Sequence, residues 1–401
     1  WRWGTAGSCL ESGSKSPVSI SSPAASSFVA LVISTTKKKP LIIPKDWSDA
    51  ASSVSCSSLQ RPVALVCGPK DSGKSTFSRN LVKVLLLQRY KRVAYLDIDV
   101  GQPEFTLPGF LSLTVVDRSI LDQDWSAPCL MTPERCFFYG DDSSKRDPKA
   151  YLQFVYTLFD YYQLNFCKSS ENKTALPLVI NTPGWVKGIG YHVLVDVLRY
   201  VSPSHVVKIN IYDYNKNLPA GLFWLDGYHD EIPHLMEIQS AYRVSYKRSA
   251  AEKHDRRLMR DARIIAYFKQ CIKGKEVDTN KELSYELASL VPYEVPISSL
   301  TISHLHCQIP SSELFYSLNA SIVGLGISSE VFEDLPLCVG LGIVRGIDTE
   351  RGILYVITPV AENVVEKVDL LWQGFIQLPT SLLEVKDYRS PYLSPYVLAS
   401  T

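Results

Sequence analysis

Nine consecutive residues constrain this chain more than any others: Gly68-Pro69-Lys70-Asp71-Ser72-Gly73-Lys74-Ser75-Thr76. They follow an all-apolar run, Val63-Ala64-Leu65-Val66-Cys67, and lead into residues 75–88, where Phe77, Leu81, Val84 and Leu85 recur at helical spacing. A buried strand, a glycine loop and a helix in that order form a phosphate cradle. The glycines let the backbone curl and come close to phosphate oxygens, while successive N–H groups and the helix start supply positive potential. Lys74 then reaches the β- and γ-phosphates of a nucleoside triphosphate, and the Ser75 hydroxyl can ligate Mg²⁺. Pro69, Lys70, Asp71, Ser72 and Thr76 complete the binding segment. A merely structural glycine turn does not need the strand before it and the helix after it.

The alternation continues. Val93 to Leu96 reads as a second buried strand ending on Asp97-Ile98-Asp99, and Leu176 to Ile180 as a third. A helix near Ala150 to Tyr162, another over Gly190 to Tyr200 and a strand over His205 to Asn210 follow. Nearly all-apolar strands separated by helices predict an α/β fold: a P-loop doubly wound parallel sheet with helices on both faces. From about Val295 the texture changes to short β-rich runs, at 297–309, 314–325, 338–347, 353–360 and 370–378, broken by Gly, Pro, Asn and Asp. These predict a smaller β-rich C-terminal domain. The expected division is a disordered or truncated N-terminal region over 1–58, the phosphate-binding domain over 59–285 and the β-rich domain over 286–401.

Ligands of open α/β sheets bind at the carboxyl ends of the strands, where Asp97 and Asp99 stand. If the strand runs on through Ile98, both carboxylates share one of its faces and look toward Mg²⁺ and the γ-phosphate, directly or through water. Alternatively the outer one leaves the strand to meet an acceptor. Gln102, three residues past Asp99, is placed to orient a metal-bound water or an acceptor hydroxyl. The third strand ends in Asn181-Thr182-Pro183-Gly184-Trp185, where Trp185 is either a buried anchor or a stacking platform for a base or sugar. Residues 250–269 form a charged helix carrying Arg256, Arg257, Arg260 and Arg263, read either as a solvated face or as a lid over the transferred phosphoryl group.

Taken together, Gly68 to Thr76, Asp97 to Glu104, Asn181 to Trp185 and Arg256 to Arg263 resemble the eukaryotic polynucleotide 5′-hydroxyl kinases. The Gly101-Gln102-Pro103-Glu104 continuation and the Leu107-Pro108-Gly109 turn are closer to the nucleolar, pre-rRNA-processing branch than to the tRNA-splicing and mRNA 3′-end branch. The resemblance implies transfer of the γ-phosphate of ATP, with Mg²⁺, to the 5′-hydroxyl of RNA, with DNA left open as a second acceptor. It makes Asp99 the general base, assigns Gln102, Thr182 and Trp185 to the substrate, and makes Arg256 a lid arginine. Arg260 or Arg248 would be the second lid arginine. It further implies a nuclear, nucleolar location and a pre-rRNA-processing endonuclease as partner. The family pattern has a folded domain ahead of the phosphate loop, so a truncated N-terminus is expected here.

Composition narrows the alternatives. A formal net charge of +1 excludes a globally basic nucleic-acid binder. Nine cysteines without a CxxC pair fit a reduced compartment better than a disulfide framework. His304-Leu305-His306-Cys307 alternates so that both imidazoles would share a strand face, but no second ligand cluster accompanies it. No apolar run reaches the ~18 residues of a membrane span. Two other functions remain: a catalytically weak, ATP-bound scaffold for an endonuclease, which has no need of Lys74, Ser75, Asp99 and Arg256 together, and a nucleotide switch, which leaves the Trp185 turn and the arginines unexplained.

Overall fold

The computed structural model describes residues 2–3, 43–122, 130–167, 176–226, 232–241, 250–332 and 335–382. Expectations for residues 4–42, for Arg248 and for the tail beyond Lys386 fall outside these. In chain order the strands are β1 (Arg2–Trp3), β2 (Val63–Cys67), β3 (Arg92–Asp97), β4 (Phe110–Asp117), β5 (Arg135–Phe138), β6 (Leu178–Asn181), β7 (His205–Asn210), β8 (His234–Gln239), β9 (Tyr293–Pro296), β10 (Thr301–His304), β11 (Ile322–Phe332), β12 (Leu335–Asp348), β13 (Ile353–Ile357) and β14 (Leu370–Gln373). The helices that matter for the site are α1 (Lys45–Ser55), α2 (Lys74–Gln88), α3 (Pro148–Tyr162), α4 (Ile189–Val201), α5 (Ala250–Lys269) and α6 (Asn280–Ser289).

The first sheet has the order β5-β4-β3-β6-β2-β7-β8. Strands β3, β6, β2, β7 and β8 run parallel, and at one edge β4 pairs antiparallel with β3 and β5 antiparallel with β4. The central strands are apolar throughout because both faces are covered. In β2, Leu65 and Cys67 join a core with α3 and α4, while Ala64 and Val66 join a second core with α1 and α2. Successive residues of β3 and β6 split between the same two cores. This two-sided burial is the doubly wound layout that the sequence predicts.

Two parts differ from the sequence reading. Residues 1–58 are not uniformly unpatterned: α1 buries Trp47, Ala51 and Val54 against the sheet. Trp47 packs edge-on to Phe77 at 5.5 Å and donates its indole N–H to the Gln239 carbonyl at 2.7 Å. The long connection after Asp99 contains β4 and β5.

The second sheet has the order β1-β9-β13-β12-β11-β14-β10. Of the expected β runs, 297–309 holds only the short β10, and 314–325 begins with a helix over Leu314–Leu318, where Leu314 and Leu318 are one turn apart. A third core joins the two sheets with α5 and α6, around Phe138, Phe268, Leu283, Leu341 and Ile376. Beside it the backbones meet directly: a Cβ on Gly374 would lie 2.2 Å from the Gly140 carbonyl oxygen, and Phe375 N–H donates to that oxygen at 2.6 Å. Among the described residues no helix is long and apolar enough to cross a membrane.

Candidate active site

The phosphate loop is fixed by its contact with β7. Gly68 has φ 147°, and a Cβ there would stand 2.3 Å from the Ile209 carbonyl oxygen. Lys74 opens α2, is buried, and donates from Nζ to the Pro69 carbonyl at 2.7 Å across the loop. Burial lowers its pKa, and the carboxylates of Asp99 and Asp71 pull it back up. On the β6 side, a Cβ on Gly184 would lie 2.6 Å from the Lys70 backbone, so the turn after β6 rests on the phosphate loop.

Asn181, the last residue of β6, ties the loop to the acidic strand end. Its Nδ2 donates to Ser75 Oγ at 3.4 Å and to Asp97 Oδ1 at 3.1 Å. Asp97 also accepts N–H bonds from Asp99 at 3.2 Å and from Glu104 at 2.5 Å. Burial nevertheless raises the Asp97 pKa to about 7, because desolvation outweighs those bonds. Strand β3 ends at Asp97, although Ile98 N–H still donates to the Asn181 carbonyl at 3.1 Å. The half-buried Asp99 Oδ1 accepts from Gly101 N at 3.1 Å and Gln102 N at 3.3 Å. Burial raises its pKa, opposed chiefly by Lys74. Both carboxylates therefore stay at this strand end, Asp97 as its last residue and Asp99 two residues on, in a turn closed by its own Oδ1.

Helix α5 closes over this loop. Gln102 donates its amide to the Arg256 carbonyl at 3.1 Å, and Arg260 pairs with Asp142 at 2.9 Å. Arg263 is buried and donates to the Glu104 carbonyl at 2.7 Å, which makes it an anchor of the helix. These contacts seat the helix on the loop that follows Asp99, so this part of it is not a solvated face.

Two residues assigned to the substrate take other positions. Thr182 is fully buried, and its hydroxyl donates to the Val66 carbonyl at 2.9 Å, so it braces β2 just ahead of the phosphate loop. Trp185 is only 9% exposed and packs on Tyr151 at 5.6 Å, with Gly190 against its other side. The anchor reading therefore describes Trp185 in this structure. The histidine pair also separates: His304 ends β10 and bonds Ser317 at 3.0 Å, while His306, at φ 64°, bonds the Tyr139 carbonyl at 2.6 Å.

Sequence reasoning gave no role to Asn181 or Asp142. Asn181 carried a signal, as the last residue of the strand beside the phosphate loop. Asp142 carried only its place in an acidic pair after Gly140.

The oxygen set fits Mg²⁺. Among the described residues no three His, Cys, Asp or Glu side chains converge, as a protein-only metal cage would require. Instead Ser75 Oγ and Asp97 share the Asn181 amide, and Asn181 Oδ1 is buried without a partner among the described residues. A few hard oxygen donors beside a phosphate loop suit a metal completed by substrate phosphates and water.

Comparison with known proteins agrees with this layout. Residues 68–270 match the family described as mRNA cleavage and polyadenylation factor CLP1 P-loop, and residues 288–379 match the NOL9-like, C-terminal domain. The chain is 80% identical over 369 residues to a polynucleotide 5′-hydroxyl-kinase NOL9 of Arabidopsis thaliana, covering 92% of this chain and all of that one. It is 31% identical to the proteins of the same name from Danio rerio and Homo sapiens, over 80% and 82% of its length. The chain spans about half of those two relatives, 47% and 51%. In fold it is similar to a chain of the solved wild-type Clp1p–Pcf11p complex, with a TM-score of 0.58 at 14% identity over 84% of this chain and 80% of that one.

Proposed function

The chain belongs to the NOL9 branch of the polynucleotide 5′-hydroxyl kinases, and from that premise we propose that its site moves the γ-phosphate of ATP onto the 5′-hydroxyl of RNA. One observation carries the reading. Asp99 stands half-buried within electrostatic reach of Lys74, and its own loop is bonded to the arginine helix through Gln102. A switch needs no such second carboxylate held beneath a lid.

In the reaction, Asp99 accepts the proton of the 5′-hydroxyl as that oxygen bonds to the γ-phosphorus. The bond between this phosphorus and the β–γ bridging oxygen breaks, and ADP leaves. Lys74 and Arg256 stabilise charge on the transferring phosphoryl oxygens, and Arg260, one turn further on, serves as the second lid arginine. Ser75 and Asp97, oriented by Asn181, would hold Mg²⁺, which when bound neutralises phosphate charge. Gln102 positions the acceptor loop against the lid. Thr182 and Trp185 act by bracing the floor.

The reacting unit in this proposal covers residues 59–285 together with α1, and residues 286–401 form its β-rich companion. Work on ribosomal RNA precursors in the nucleolus, beside a processing endonuclease, belongs to the same proposal and rests on the branch.

The test incubates the chain with labelled ATP, Mg²⁺ and a short 5′-hydroxyl RNA, alongside Asp99→Asn. Label transfer that Asp99→Asn abolishes is expected. Hydrolysis without transfer would establish a switch instead, and neither activity would leave a scaffold.

A further inference from the structure

The site runs in a line across the carboxyl edge of the first sheet. The order β3-β6-β2-β7 places Asp99 after β3, Asn181 at the end of β6, the phosphate loop after β2 and residues 211–217 after β7. With neighbouring strands ~4.8 Å apart, three spacings separate the acceptor end from the β7 end, roughly 14 Å. In-line transfer needs the leaving oxygen opposite the attacking one. A triphosphate whose γ-phosphate faces Asp99 while its other phosphates lie in the loop after β2 must therefore send its nucleoside away from Asp99, toward β7.

Two tyrosines stand at that end. Tyr212 is 58% exposed and Tyr214 is 85% exposed. Their segment is firmly held. Ile211 N–H donates to Asn217 Oδ1, and Asn217 Nδ2 donates back to the Ile211 carbonyl, both at 2.8 Å. Lys216 pairs with Asp213 at 2.6 Å within the turn. Just beyond, the buried Lys208 donates to the Pro219 carbonyl at 2.8 Å and pairs with Glu237 at 2.6 Å. The same strand end touches Gly68, so the turn and the phosphate loop are registered against each other. Two open aromatic rings on a braced turn lose little freedom when a flat ring settles on them.

We propose that Tyr214, with Tyr212 two residues before it, is the stacking platform for the purine base of the nucleotide donor. The proposal rests on the kinase reading, because Asp99 as acceptor end sets the direction in which the nucleoside lies. The chemistry shared with the competing source, a base of the acceptor RNA, is stacking on an aromatic face, which tolerates any base. Discrimination among donor bases would then be weak, and GTP would compete with ATP.

The test measures binding, apart from turnover, by calorimetry with the full chain and Tyr212→Ala, Tyr214→Ala and Tyr214→Phe. The probes are ATP, inorganic tripolyphosphate and a short 5′-hydroxyl RNA. Tyr214→Ala is expected to weaken ATP about tenfold, in line with the loss of one stacked base, and Tyr212→Ala by less. Tripolyphosphate and RNA affinities should stay at wild-type values, and Tyr214→Phe should restore ATP binding. Unchanged ATP affinity in both alanine variants overturns the platform. Equal loss of ATP and tripolyphosphate would mean that the turn merely supports the loop, and loss confined to RNA would give the platform to the acceptor. Each of these also sinks the proposal. If the wild type binds ATP but transfers nothing to RNA, the kinase reading fails separately.

Discussion

The floor of the site and its lid are built on opposite principles. On the floor, Lys74, Asp97, Asn181 and Thr182 are all buried, and each has a partner close by: Lys74 the Pro69 carbonyl, Asn181 the Asp97 carboxylate and Thr182 the Val66 carbonyl. The outer face of the arginine helix is held by one amide-to-carbonyl bond from Gln102 and by the Arg260–Asp142 ion pair, whose side chains are 27% and 41% exposed, while the buried Arg263 anchors the inner face to the Glu104 carbonyl. A buried charge is strong because water is excluded, and its pKa moves accordingly, whereas an exposed ion pair is screened and weak. The floor can hold phosphates in one geometry, while the outer side chains Arg256 and Arg260 have little to lose on rearranging about a helix that Arg263 and Phe268 keep in place. Variants in the two regions should therefore behave differently in size and in salt dependence.

The largest effects should come from the floor and from Asp99 beside it. Lys74→Ala and Asp99→Asn are each expected to lower phosphate transfer by at least ~10²-fold, read by single-turnover labelling. A drop of only a few-fold in either would erase the contrast with the lid. Next comes Trp185→Ala, which should cost about 3–5 kcal/mol of stability in chemical denaturation, as a large core aromatic does. Its RNA affinity per folded molecule should be unchanged, and a selective loss of RNA binding would return Trp185 to the substrate.

On the lid, Arg256→Ala is expected to slow transfer about tenfold to a hundredfold. Arg260→Ala should cost less than about tenfold, with an effect that shrinks as salt rises, since its partner Asp142 is half open to water. Equal, salt-insensitive losses would make the lid as tightly built as the floor.

The last contrast is a pH dependence, which reads the floor alone. Asp97 has its folded pKa raised from 3.8 to about 7, so the folded chain holds that proton more tightly than the unfolded one. Its stabilising contribution is complete below about pH 4 and is lost as pH rises through about 7. The stability difference between wild type and Asp97→Asn should follow that window in thermal melts, and a flat difference would contradict the buried, desolvated Asp97.

The floor was largely legible in the sequence because its signals are local. The bounds of β2 and β7 follow from apolar runs, and the Gly68 to Thr76 segment carries its meaning in its own spacing. Asp99 was legible as the residue just past a strand end. What escaped depends on neighbours far along the chain. Whether Trp185 is open or buried is decided by Tyr151, and the use of Thr182 by a carbonyl on β2. Helix α1 was missed because a stretch rich in Ser and Ala buries only Trp47, two alanines and Val54 among its apolar residues. Strands β4 and β5 were missed inside what read as connection, although residues 110–116 alternate only weakly. His306 could not be placed because its bend exists only where it meets Tyr139.

The bond from Gln102 to the Arg256 carbonyl has a genetic consequence. A main-chain carbonyl does not depend on the side chain at its own position, so any substitution at residue 256 that keeps the helix, proline excepted, leaves the clasp intact. Variation at Arg256 can thus alter the helix's charge while preserving its address, whereas variation at Gln102 alters the address while leaving the helix's charge unchanged. The two properties are open to separate inheritance.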